Sequence, residues 1–258
     1  MKIYDQHLHS NFSFDSEENI ENYFLNNENN IVTTEHMDVA NPVTGKNDFP
    51  DYPSYDKKIK ELNEKYNNRA YKGIEIGFFP EKEEETLKYL DGKTYALKLL
   101  SVHHNGKFDF MDDIVTTLPI DQVLDDYFNR MIQALESDVS ANVLAHFDYA
   151  LRKLDVTPEQ LDSYAKKYLD KIIHLTVGKE MSLELNAKSM YLYGNEKLYS
   201  YMVEKYIGLG GRLFTLGSDA HSLDQYGNKF DKMREFLLKY KISEVAEYTN
   251  DLKMRPLR

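Results

Sequence analysis

The chain has 258 residues, 41% of them apolar and 29% charged, with 20 tyrosines, 13 phenylalanines and no cysteine. That apolar content suffices for a sizeable core and argues against global disorder, while the absence of cysteine excludes disulfides, thiolate catalysis and Cys-ligated zinc. A formal net charge of −11 disfavours nucleic acid as a partner, because the global field repels a long polyanion. A small phosphorylated substrate is compatible with it, since bound divalent cations reverse the field locally.

Residues 1–16 are polar and acidic rather than a basic segment followed by an apolar run, so no signal peptide is expected. No stretch reaches the roughly 18 apolar residues of a membrane span. The expectation is a soluble cytoplasmic protein with no membrane partner, its residues 1–258 forming one domain.

In chain order, apolar and β-rich runs predict strands near 2–8 (KIYDQHL), 30–36, 70–78, 96–103, 142–148, 181–186 and 212–219. Helical periodicity predicts helices near 17–28, 54–68, 81–90, 119–137, 158–177, 195–208 and 229–240. Thr157-Pro158-Glu159-Gln160 reads as a helix start, with Thr as cap and Pro in the first helical position. Gly210-Gly211 reads as the stop after the sixth helix. Long loops are expected over 38–54 and 105–118, of the kind that often covers a site. Strands alternating with helices point to a parallel α/β sheet, either open or closed into a β/α barrel. No Gly-rich phosphate loop follows the first strand, which weakens a dinucleotide-binding assignment.

The informative pattern is where the polar residues fall. His7 and His9 sit at the end of the first predicted strand, where residues i and i+2 share a face roughly 6.5–7 Å apart. Asp15 follows in the next loop. Glu35 and His36 end the second strand, and Glu75 lies on the third. His103 and His104 end the fourth, His146 and Asp148 the fifth, and Asp219 and His221 the last. Only His174, of eight histidines, lies within a predicted helix. In a β/α barrel those strand ends open onto one face. Imidazoles and carboxylates suit zinc, manganese or iron, and the number of donors exceeds the need of one four-coordinate ion. Two or three divalent ions are expected.

The motifs His7-Leu8-His9, Thr34-Glu35-His36, Gly73-Ile74-Glu75, Ser101-Val102-His103, His146-Phe147-Asp148 and Gly217-Ser218-Asp219-Ala220-His221 follow one another along the chain. Together they resemble the polymerase and histidinol phosphatase (PHP) superfamily, and most of all its histidinol-phosphatase branch. The resemblance implies a distorted barrel of about seven parallel β/α units with a trinuclear metal centre. Carried over, it puts His7, His9 and Asp219 on a first ion and makes Glu75 the bridge to a second. His103 and His146 complete the second, and Asp15, His36 and His221 hold a third. Asp15 stands where many members have His. His104 and Glu35 alternate away from their neighbours on an extended chain, so packing and structural roles are expected for them.

The chemistry implied is hydrolysis of L-histidinol phosphate, within histidine biosynthesis, by a metal-bridging hydroxide. His221 or Asp15 would help protonate the leaving group. The chain has no Gly-x-Ser-x-Gly elbow. Arg152 is the expected phosphate clamp, since a guanidinium matches phosphate geometry. Lys188 stands where family members often carry a second arginine, and Asn186 is a polar neighbour. Asp38, Asp48, Phe49, Tyr52, Phe108, Asp109 and Phe110 lie in loops that would meet the amine and imidazole, and the sequence does not select among them. The competing readings are a phosphoesterase for another small phosphomonoester, a non-catalytic PHP module, and an amidohydrolase-type metal hydrolase. The last would want a bridging lysine at a strand end, and none stands out.

Overall fold

The computed structural model describes residues 4–25 and 27–257. Its main sheet contains β1 (Ile31–Asn41), β2 (Lys46–Asp48), β3 (Ala70–Gly77), β4 (Leu97–Ser101), β5 (Val143–Leu144), β6 (Ser182–Asn186) and β7 (Phe214–Gly217). The strand order is β2-β1-β3-β4-β5-β6-β7, parallel throughout except for the antiparallel β1–β2 pair. The helices α1 (Tyr52–Lys65), α2 (Glu83–Leu90), α3 (Ile120–Glu136), α4 (Pro158–Gly178), α5 (Glu196–Gly208) and α6 (Phe230–Lys239) alternate with the strands. A two-stranded hairpin, β8 (Glu244–Tyr248) and β9 (Leu252–Pro256), follows.

Local chemistry accounts for these elements. Every residue of β6 and β7 is buried, as expected of parallel strands covered on both faces. α4 starts with a reciprocal cap: Gln160 N donates to Thr157 Oγ1, and Thr157 N donates to Gln160 Oε1, with Pro158 in the first turn. α5 ends at Gly208, and Gly210 then adopts a φ of 98° that reverses the chain. The buried face of α3, from Val123 and Leu124 to Met131 and Leu135, recurs at helical spacing and joins the main core with Leu161, Leu169 and Ile173 of α4.

Four expectations need correction. The predicted strand at 2–8 falls partly outside the described residues, and residues 5–9 make only isolated bridges, Asp5 to Leu216 and Leu8 to Ala220. This segment nevertheless links the flanks of the sheet. Gln6 N donates to Leu216 O at 2.9 Å and Asp219 N to His7 O at 3.0 Å, while Thr34 N in β1 donates to Leu8 O at 2.6 Å. No ladder forms because side chains take two successive amides: Leu8 N donates to Thr34 Oγ1 and His7 N to Asp5 Oδ1. The helix predicted at 17–28 is a short 3-10 turn, Ile20–Phe24, with Asn19 as its cap and an asparagine-rich stretch beyond. The strand predicted at 142–148 keeps two residues, since His146 N turns to the Glu184 carboxylate at 2.7 Å. The loop predicted at 38–54 contains the end of β1 and all of β2. Among the described residues no helix is long and apolar enough to cross a membrane.

Candidate metal centre

The strand register brings the polar residues together. His36 on β1 is directly beside Glu75 on β3, so both side chains leave the same face at adjacent heights. The Glu75 carboxylate is fully buried and is surrounded by five imidazoles. Oε1 is 2.7 Å from His146 Nε2 and 3.1 Å from His103 Nε2. Oε2 is 3.1 Å from His7 Nε2, 3.2 Å from His36 Nδ1 and 3.4 Å from His9 Nε2. Burial alone would raise the Glu75 pKa, yet His7, His36 and His103 hold it well below the usual carboxylate range.

Several overlapping sets of donors result, three of which bear on the expected ions. His7, His9 and Glu75 form the first, with Asp219 Oδ1 3.8 Å from His9 Nε2. Glu75, His103 and His146 form the second. In the third, His36 Nε2 and His221 Nε2 both approach Asp15 Oδ2, at 3.4 and 3.1 Å, and the His9 ring stacks on that of His36. The facing nitrogens of His7 and His9 sit 3.1 Å apart, Nε2 to Nε2. Their other ring nitrogens are engaged, His7 Nδ1 with Glu184 Oε1 at 2.6 Å and His9 Nδ1 with Ser13 Oγ at 3.3 Å. A proton shared between them, or a cation bound by both, accounts for two ring nitrogens at that distance. Among the described residues the buried Nδ1 of His146 has no hydrogen-bond partner. This donor set, imidazoles fixed from outside and carboxylates between them, fits borderline divalent ions such as zinc, manganese or iron.

Asp219 adopts a left-handed backbone conformation, φ 58°, which is uncommon for a residue other than glycine and marks local strain. Its Oδ2 accepts from Arg152 Nη2 at 3.1 Å and its Oδ1 from Lys188 Nζ at 3.3 Å. Burial would raise the pKa of Asp219, but Lys188, His7, Arg152 and His221 keep it well below its ordinary value. Arg152 is nearly buried. Its Nε donates to Ser189 Oγ and its Nη2 to Asn186 Oδ1, and the guanidinium lies 4.9 Å from the ring centre of Tyr149 and 5.4 Å from that of Tyr193. Arg152 and Lys188 line the same cleft as Asp15, His36, Glu75, His103, His146, Asp219 and His221.

The adjacent histidines separate as alternation requires. His103 turns inward, its Nδ1 held by Asp38 Oδ1 at 2.8 Å. His104 turns away: its ring centre is 5.0 Å from that of Phe79, Gly106 N donates to its Nδ1, and its Nε2 is buried without a partner. Glu35 is a structural acid, accepting from Ser10 N, Ser10 Oγ and Ser13 Oγ. Asp148, although it ends a strand motif, accepts from Asn195 Nδ2 and Tyr199 OH, away from the centre.

Sequence reasoning misses Glu184, whose carboxylate holds both His7 Nδ1 and His146 N. The available signal is a lone acid in the otherwise apolar run MSLEL. Asp38, grouped by sequence with the loop residues expected to meet the amine and imidazole, is held by His103 and His36 instead. Two glycines permit these contacts. A Cβ on Gly77 would collide with the Asp38 carboxylate and the His103 ring, and one on Gly217 with Glu184 and His7.

A PHP domain model matches residues 5–188. The chain is 31% identical over 234 residues to a protein of Clostridium acetobutylicum named probable histidinol-phosphatase, covering 88% of this chain and 90% of that one. It is 25% identical over 258 residues to a histidinol-phosphatase of Lactococcus lactis, covering 96% and 95%. Its structure superposes with a TM-score of 0.83 on a histidinol phosphate phosphatase from Lactococcus lactis complexed with zinc, L-histidinol and phosphate. That likeness, at 23% sequence identity over 98% of this chain and 99% of the other, carries the fold. With more than half of its length matched and a relative above 30% identity over most of both chains, this chain belongs to the PHP domain family.

Proposed function

We propose that the chain is a metal-dependent phosphomonoesterase that hydrolyses L-histidinol phosphate to L-histidinol and phosphate, the phosphatase step of histidine biosynthesis. The observation that carries this reading is the buried Glu75 carboxylate, ringed by five imidazole nitrogens and sharing a cleft with Arg152 and Lys188. Relatives named histidinol-phosphatase supply the substrate. The reading takes residues 1–258 as one catalytic domain acting in the cytoplasm.

In this proposal His7, His9, Glu75 and Asp219 hold one divalent ion, and Glu75, His103 and His146 a second. Asp15, His36 and His221 hold a third, so that two to three zinc, manganese or iron ions bind per chain. Such ions lower the pKa of water and neutralise phosphoryl oxygens. The rest falls to the chain. Arg152, clamped by Ser189, Asn186 and Asp219, presents a guanidinium whose orientation is set before the phosphate arrives. Lys188, partly exposed beside Asp219, supplies the second positive charge. His221 and Asp15 flank the more open side of the centre, where they would help protonate the departing alkoxide.

The test is phosphate release from L-histidinol phosphate beside a panel of nucleotide and sugar monophosphates, with metal content measured on the same preparation. A strong preference for L-histidinol phosphate with two to three ions per chain is expected. Metals with a preference for another ester would move the substrate. An inactive chain after restoring zinc, manganese or iron would favour a non-catalytic PHP module.

A further inference from the structure

Five acids line the cleft: Asp15, Asp38, Glu75, Asp109 and Asp219. Four of them meet cationic or imidazole nitrogens within 4.0 Å: Asp15 with His36 and His221, Asp38 with His36 and His103, Glu75 with five histidines, and Asp219 with Arg152 and Lys188. Asp109 is the exception. Among the described residues no Lys, Arg or His nitrogen lies within ion-pair distance of it.

Asp109 is nonetheless held in place. Its Oδ1 accepts from Met111 N at 2.7 Å and from Tyr149 OH at 3.1 Å. Its backbone is fixed by the bridge to His104 and by Asp109 N donating to Asp112 Oδ2. Both bonds to the carboxylate fall on Oδ1, which leaves Oδ2 for a ligand. Partial burial pushes the Asp109 carboxyl above its ordinary value, against the opposing pull of His103.

Tyr149 links Asp109 to Arg152, the proposed phosphate clamp. The Arg152 guanidinium lies over the Tyr149 ring, 4.9 Å from the centre, and Asp109 sits at its hydroxyl, so Tyr149 stands between a cation and an anion in one cleft. L-histidinol phosphate has the matching charges, an anionic phosphate and, two carbons from the ester oxygen, an ammonium. Its imidazole lies on the far side of that carbon. We propose that Asp109, positioned by Tyr149, binds the substrate ammonium and thereby selects an amino-alkyl phosphate over amine-free phosphomonoesters.

This rests on the proposed function, and one experiment separates the two. Steady-state kcat and KM are measured for L-histidinol phosphate and for 3-(imidazol-4-yl)propyl phosphate, which lacks only the amine, with wild type, Asp109→Asn and Tyr149→Phe. The ratio of kcat/KM between the two substrates is expected to fall about 10- to 100-fold in Asp109→Asn, chiefly through a higher KM for L-histidinol phosphate. A smaller fall in the same direction is expected for Tyr149→Phe, a variant that also guards against misfolding of the first. A wild type without activity on L-histidinol phosphate would overturn the proposed function, and this assignment with it. An active wild type whose selectivity ratio survives Asp109→Asn, or whose variant loses both substrates equally, would overturn the assignment alone.

Discussion

Glu184 Oε1 lies 2.6 Å from His7 Nδ1, and Glu184 Oε2 accepts a hydrogen bond from the backbone of His146. One buried acid thus orients two residues of the cluster from behind. The carboxylate accepts the Nδ1 proton of His7 and so turns Nε2 toward Glu75 and His9, where it can bind an ion once its own proton is given up. Replacing it with an amide preserves the shape and removes the charge. Glu184→Gln is expected to weaken metal binding by about 10- to 100-fold, read as metal retained after dialysis against graded chelator. Retention equal to wild type would show that the His7 orientation does not depend on this charge.

Gly217 permits that contact, because a Cβ there would run into the Glu184 carboxylate and the His7 side chain. Neither neighbour has room to yield, since both are fully buried. Gly217→Ala is therefore expected to lower stability by roughly 1–3 kcal/mol, the usual range for overpacking, and to reduce metal load. Gly178→Ala is the control: this glycine ends α4, and its added Cβ would meet nothing within 4 Å. Thermal melts of the two variants should move apart, and coincident melts would contradict the close approach.

The two histidines at the end of β4 separate chemistry from packing. His103 Nε2 faces Glu75 and His104 packs on Phe79. His103→Ala is expected to abolish turnover, whereas His104→Ala keeps most of it and loses roughly 1–3 kcal/mol of stability through the emptied packing site. Turnover against L-histidinol phosphate, paired with a urea melt, distinguishes them. Equal losses of turnover would reverse the orientation assigned to the pair.

That orientation is legible in the amino-acid order alone, because two-residue alternation settles which of two neighbours faces a site. The same logic reaches His7, His9, His36, Glu75, His146 and the Asp219–His221 pair, all on or near the ends of predicted strands, and the fold gathers them into overlapping donor sets. It fails where burial rather than position carries the meaning. Glu184 lies inside β6, and nothing in a single sequence says that an acid within an apolar run has a buried partner on another segment. Alternation in the N-terminal segment predicts a strand. In the fold the amides of His7 and Leu8 bond to the Asp5 and Thr34 side chains, which breaks the ladder. The hairpin β8–β9 is hidden from such reasoning because β9 is largely exposed and ends in proline, giving no apolar periodicity to read.

Metal removal provides the last test, and its logic lies in the crowding of donors. Five imidazole nitrogens lie within 3.4 Å of one carboxylate. Stripping the ions leaves these donors, His7 and His9 among them, with only protons to hold them together. Ligands that bind the folded state alone stabilise it by mass action, by about 2.7 kcal/mol at a free concentration one hundred times the dissociation constant. For a chain of this size that corresponds to roughly 5–10 °C in melting temperature. Chelation is therefore expected to lower the melting temperature by several degrees, and zinc or manganese to restore it. Glu75→Ala removes the carboxylate common to the first two donor sets, so its melt should lose most of this response. A wild-type melt indifferent to chelator and metal would mean that the cluster holds itself together through its own ion pairs, and would remove the physical basis for assigning it to metal ions.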